Sequence, residues 1–183
     1  MSTTFYHGTI EPNGEKIYDT QSFLFSDGEK HLLGKGIYLY KDPIQAKVWA
    51  RMKADYEKSK PVILEVEVDV NEDDYLDLDI RAHQDFFFRQ RKQFLTKIKE
   101  KSLTHVQAHY TDSHFCDFLV GRTNDTIVAK TFVYALPHES RAIPVRYTNQ
   151  KQTDRNITRH YRTEKQYCIK NHTLIKNIGI LDL

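Results

Sequence analysis

The first stretch of the chain, Thr3-Thr4-Phe5-Tyr6-His7, is β-branched and aromatic and predicts a strand that ends at a histidine. The residues after it, Gly8 to Glu15, carry turn signals, and 19–35 reads as loop. A second short strand, Gly36 to Tyr40, is introduced by Gly34 and Gly36. The period then changes. Asp42 can cap a helix, Pro43 fits its first position, and Ile44, Val48, Trp49, Met52 and Tyr56 form an apolar stripe at helical spacing. Pro61 opens Pro61 to Val70, whose end alternates as a strand with one wet face does.

From Gln84 to Lys101 the pattern is helical again, with Phe87, Phe94, Leu95 and Ile98 apolar between Arg, Lys and Gln. The triple Phe86-Phe87-Phe88 reads as core packing. Residues Cys116 to Gly121 and Thr126 to Leu136 read as strands around a turn at Arg122 to Asp125. Glu164 to Asn171 reads as a last strand before a short tail, and polar 148–160 as an exposed loop. Strands and helices in this mixture predict an α+β fold of two small, mostly antiparallel sheets with flanking helices.

Composition narrows the class without naming a function. A length of 183 residues suits one domain, and 39% hydrophobic and 28% charged residues exclude a chain disordered throughout. No stretch approaches the roughly 18 apolar residues of a membrane span, and the start of the chain has no leader pattern. Synthesis in the cytoplasm, with no membrane partner, is the expectation. Cys116 and Cys168 are the only cysteines and read as buried free thiols. No spacing of His, Cys or carboxylates suggests a metal, and there is no Walker-type phosphate loop. Net charge is only +2, but Glu65 to Asp85 is acidic and Arg141 to Arg162 mostly basic, which leaves a polyanionic partner open.

Three segments carry chemistry together: Tyr6-His7-Gly8-Thr9 on the first strand, Gly34-Lys35-Gly36-Ile37-Tyr38-Leu39 on the second, and Glu164-Lys165-Gln166-Tyr167-Cys168-Ile169 late in the chain. In this order they resemble the motifs of the ADP-ribosyltransferase superfamily, and the second segment is similar to its counterpart in poly(ADP-ribose) polymerases. Gln45-Ala46, Trp49-Ala50, Asp117 to Gly121 and Asn124-Asp125 extend the resemblance to an uncharacterised bacterial family of the same superfamily, over nearly the whole of 1–183.

The resemblance implies one ADP-ribosyltransferase-like domain, a split β-sheet sandwich, with NAD as substrate lying between the sheets and no metal. It implies that His7 bonds the ribose next to nicotinamide, that the backbone of Gly8 pairs with the nicotinamide amide, and that Tyr38 stacks on the ring. By the same resemblance Thr9 and Gly36 also belong to the NAD-binding set. Tyr40 shares the sheet face of Tyr38, and the position inside Gly-Lys-Gly-Ile-Tyr favours Tyr38. Gln166 stands where transferases of the superfamily usually carry glutamate; it can bond a ribose hydroxyl but has no carboxylate to stabilise a developing cation. Glu164, two residues earlier on an extended strand, shares its face and can supply that charge. The ordinary alternatives are an exposed strand acid for Glu164, turn chemistry for Asn124-Asp125, and neutralisation of Arg122 or binding of the acceptor for Asp117.

The function so implied is an NAD-dependent ADP-ribosyltransferase modifying a protein or a nucleic acid, in the manner of a bacterial toxin or defence effector that works where it is made or is delivered into a target cell. An antitoxin or regulatory protein is then a further partner. The alternatives are a module that binds NAD or an ADP-ribose-like group, or a protein partner, without efficient transfer, and an NAD glycohydrolase.

Overall fold

In this computed structural model residues 2–27, 31–71, 75–101, 112–123, 126–133 and 163–181 are described. They form, in chain order, β1 (Ser2–Ile10), α1 (Glu11–Thr20), β2 (Ile37–Leu39), α2 (Pro43–Glu57), β3 (Pro61–Asp69), β4 (Tyr75–Asp77), α3 (Arg81–Glu100), α4 (Asp112–Val120), β5 (Ile127–Val133), β6 (Thr163–Ile169) and β7 (Ile175–Leu181). The chain divides into two compact units, Met1–Lys130 with Lys165–Leu183, and Thr131–Glu164. Of the second, only its two ends, 131–133 and 163–164, are described, each within a strand.

The class is α+β. One sheet has the order β1-β3-β7 and the other β2-β6-β5-β4. β3 lies centrally in the first, antiparallel to β1 from Ser2↔Asp69 to Ile10↔Pro61 and to β7 from Ile63↔Leu181 to Val68↔Ile175. In the second, β2 pairs antiparallel with β6 and β4 parallel with β5. Alternation on β3 decides its faces: Leu64, Val66 and Val68 are buried while Glu67 and Asp69 are exposed. Phe5, Leu64, Val66, Val68 and Ile178 of the first sheet join Ile37, Leu39, Ile127, Tyr167 and Ile169 of the second in one apolar core. That core fills the space between the sheets.

Several local expectations change. β1 runs on to Ile10, and the supposed turn is α1, with Pro12 in its first turn where a missing N–H costs nothing. Gly14 lies inside this helix at the point where it meets β3, a Cβ there standing 2.8 Å from Val62 Cγ1. Cys116 to Gly121, expected as a strand, belongs to α4 up to Val120, since Phe115, Cys116 and Leu119 are buried at a spacing that one helix face supplies. The expected tail is β7, which adds itself to the free edge of β3.

α2 begins where expected, Asp42 accepting from the Ile44 N–H at 2.8 Å. Its apolar stripe does not face the core: Ile44, Met52 and Tyr56 are 67%, 58% and 87% exposed, whereas Ala46 and Ala50 are fully buried. The reason is Gly8. A Cβ there would overlap the Ala46 carbonyl and stand 2.9 Å from the Ala50 nitrogen, so the helix lies directly on β1 and only alanine fits between. The Phe triple also divides, Phe87 being buried and Phe88 57% exposed. Among the described residues no helix is long and apolar enough to cross a membrane.

Candidate functional site

His7 is held by its neighbours in one protonation state. Its Nδ1 lies 2.9 Å from the Tyr38 carbonyl oxygen, which can only accept, so Nδ1 carries the proton and Nε2 keeps a free lone pair. The ring meets Phe23 edge-on at 5.1 Å. Burial holds the imidazole pKa below 6.5; the Tyr38 bond opposes this, and the Lys53 ammonium adds to it. The side chain is a neutral acceptor at physiological pH.

The backbone beside it is paired with the second sheet at Tyr6. Tyr6 exchanges both main-chain bonds with Tyr40, at 2.7 and 2.8 Å, and so points its N–H and C=O away from β3. Strand alternation aims the N–H and C=O of Gly8 the same way, past the point where pairing with Tyr40 ends. Thr9, by the same alternation, faces β3 and is buried at 2% exposure. Gly36 exchanges main-chain bonds with Ser26, at 2.9 and 3.1 Å, and its missing side chain admits Cys168, whose Sγ would lie 2.5 Å from a Cβ. Its service is to let β2 approach β6.

Tyr38 is fixed at its hydroxyl, which donates to the Gly34 carbonyl at 2.7 Å and accepts from the Leu33 N–H at 3.0 Å. Burial raises its pKa, so it stays a phenol. Tyr40, by contrast, is buried with Ala46 and Ile63, whereas Tyr38 is half-buried. The turn that holds the hydroxyl is itself tied down. Lys170, its side chain 6% exposed, donates to the carbonyls of Leu33 (2.6 Å) and Lys35 (2.8 Å) and to Asp117 (2.8 Å). Asp117 also accepts from the Lys35 N–H at 2.9 and 3.0 Å. Gly34, at φ +83°, takes the left-handed conformation this turn requires and has the Asp117 carboxylate against its Cα. Asp117 therefore holds Lys170 and the turn, while the Arg122 guanidinium lies over the Phe118 ring at 4.5 Å.

Tyr38 pairs directly with Cys168 across β2 and β6, so their side chains share a face, and Gln166, two residues along, shares it too. Gln166 is buried at 8% exposure. On the other face of β6, Lys165 bonds Asp77 at 2.6 Å and Asp79 at 3.0 Å. Glu164 falls in the second unit; it is half-buried, and burial raises its carboxyl pKa. Both cysteines are buried free thiols, pushed up by burial to about 12 for Cys116 and about 11 for Cys168, so neither is a ready nucleophile. Asn124, Asp125 and the basic segment 141–162 lie outside the described residues.

Two residues had no signal in the sequence. Lys170 is 53 positions from Asp117, and no motif joins them. His31 lies beside Tyr38, ring centroids 5.4 Å apart, and its enclosed Nδ1 has no hydrogen-bond partner among the described residues. Among the same residues no three His, Cys, Asp or Glu come together as a metal site.

No protein-family model matches the chain, and no solved structure does. An uncharacterised protein of the archaeon Methanocaldococcus jannaschii is 27% identical over 190 residues, spanning 98% of this chain and 87% of the relative. The likeness runs end to end, and no activity comes with it.

Proposed function

We propose that the chain has an ADP-ribosyltransferase-like fold, binds NAD at the rim where β1 meets β2, and transfers ADP-ribose to a macromolecular acceptor. The observation that carries this reading is the set of groups at that rim. A carboxamide needs one donor and one acceptor side by side, and the edge of Gly8 that alternation turns away from β3 carries a C=O and an N–H. His7 Nε2 accepts from a ribose hydroxyl. The Tyr38 ring, its hydroxyl anchored, gives a flat wall for the nicotinamide ring to stack on. In the reaction the bond from the ribose carbon to the nicotinamide nitrogen breaks with its electron pair going to the ring, and an acceptor oxygen or nitrogen bonds to that carbon and gives up a proton. The protein's part is to fix the leaving ring and to face the growing positive charge with a carboxylate, which on β6 only Glu164 carries.

The test is nicotinamide release from titrated NAD. His7→Ala and Tyr38→Ala each abolish release; unchanged release in both overturns the site. Glu164→Gln lowers turnover by roughly 10²-fold while NAD binding is nearly kept, the mark of an interaction made in the transition state. Gln166→Ala weakens NAD binding, and Gln166→Glu raises hydrolysis. Gln166 also favours a second reading, a module that binds NAD without transfer: NAD binding lost in His7→Ala, with release at buffer level in the wild type, selects it. Free ADP-ribose accumulating in place of a labelled macromolecule selects a glycohydrolase.

A further inference from the structure

The 20 residues of α3 carry six Lys and Arg against two acidic residues, in a chain whose net charge is +2. One face of the helix is spoken for. Phe87 and Ile98 are buried, and Phe87 and Phe94 pack on Phe115 of α4 at 5.0 and 5.9 Å. On another face Phe88, Arg91, Lys92, Leu95, Thr96 and Lys99, spaced one helical turn after another, line a groove of about 300 Å³. Three of the six are cations, and none is an acid. Arg91 Nε lies 2.8 Å from an Asp112 carboxylate oxygen, which balances its charge, while Lys92 and Lys99 have no carboxylate partner among the described residues. The Phe88 ring is 57% exposed, touching Phe87 edge-on at 5.4 Å.

Charge and shape select the occupant. Lys92 and Lys99 are seven residues apart, about 10 Å along the axis, too far for one phosphate to bridge but within reach of successive phosphates on one strand. An exposed aromatic ring one helical turn before Lys92 gives a base a surface to stack on. A bilayer would need a broad apolar face, and this one offers a single exposed ring with half-buried Leu95 between its cations. We propose that this groove binds a single-stranded polynucleotide, with phosphates at Lys92 and Lys99 and a base on Phe88. The inference concerns binding alone and stands apart from the NAD reading; if both hold, nucleic acid is the acceptor class.

The test is fluorescence anisotropy of the full chain with a labelled single-stranded oligonucleotide of about 20 nucleotides, titrated with salt, beside phosphatidylserine vesicles and inorganic polyphosphate. Lys92→Glu with Lys99→Glu weakens binding at least tenfold at low salt and lowers the slope of log affinity against log salt by about 1.4, two phosphates at about 0.7 each. Phe88→Ala weakens binding about fivefold or more with the slope unchanged, as a stacking contact does. Arg81→Glu, on the same helix but outside the groove, leaves affinity within about twofold at about 0.1 M salt, where the Debye length is about 10 Å and its charge lies about 16 Å along the axis from Lys92. All these positions are exposed, so melting temperatures stay close to wild type. Wild-type affinity in the double variant, equal loss in Arg81→Glu, vesicle binding without oligonucleotide binding, or polyphosphate bound as tightly with Phe88→Ala silent would each overturn the proposal.

Discussion

A histidine whose Nδ1 is committed to a carbonyl has one nitrogen left for chemistry, and at His7 burial decides that this nitrogen stays unprotonated. The same burial sets a pH dependence. The folded pKa lies below 6.5, so as pH falls the unfolded chain takes up the proton first, and the fold loses stability from about pH 6.5 down to the folded pKa. One proton gives a slope of at most about 1.4 kcal/mol per pH unit. Urea unfolding at several pH values, wild type against His7→Gln, isolates the effect: the stability difference moves against wild type as pH drops below 6.5. A difference that is flat or moves the other way contradicts a neutral, half-buried imidazole.

At the scale of elements, two devices place the residues of the rim. The first is the contact of α2 with β1. Ala50 is fully buried there, while Met52 is 58% exposed, so Ala50→Leu costs about 1–3 kcal/mol by overpacking and Met52→Glu stays within about 0.5 kcal/mol. Chemical denaturation of the two variants checks it, and the reverse order would mean that the apolar stripe faces inward. The second device is the clamp of Lys170 and Asp117 on the turn that holds the Tyr38 hydroxyl. Lys170→Met leaves two carbonyls and a carboxylate without their cation. Because Asp117 is 39% exposed, the loss falls short of the roughly 3–5 kcal/mol of a fully buried pair, at about 2 kcal/mol. Amide hydrogen exchange at Lys35 also speeds up in this variant, and exchange at the wild-type rate would show that the turn holds itself.

At the scale of the whole molecule, both sheets contribute to one apolar core, so they stand or fall together. Phe5, 1% exposed and packed edge-on against Tyr167 at 5.1 Å, lies where they meet. Phe5→Ala costs about 3–5 kcal/mol and lowers the unfolding of β3 and of β6 equally, as read by amide exchange on each. Loss confined to one sheet would mean two separate cores.

Whatever depends on local pattern was readable along the chain. β3 alternates because one of its faces is wet, Asp42 caps α2 because an oxygen there meets a free N–H, and α3 follows the 3.6-residue period of its apolar positions. Short motifs drew attention to His7, Gly8, Tyr38 and Gln166, and in the structure His7 Nδ1 meets the Tyr38 carbonyl while Gln166 lies on the sheet face of Tyr38. Features that rest on a partner distant in the chain were not legible. The stripe of α2 turns outward because a glycine thirty-eight residues before Ala46 lets the helix backbone touch β1, and 175–181 becomes a strand because β3 has an edge to offer. Phe88 stands apart from Phe87 because a helix turns about 100° per residue and α4 covers only one side. Lys170 reaches Asp117, and His31 reaches Tyr38, only when the sheets close, for local periodicity fixes which way a side chain points along its own element and tertiary packing alone fixes what it meets.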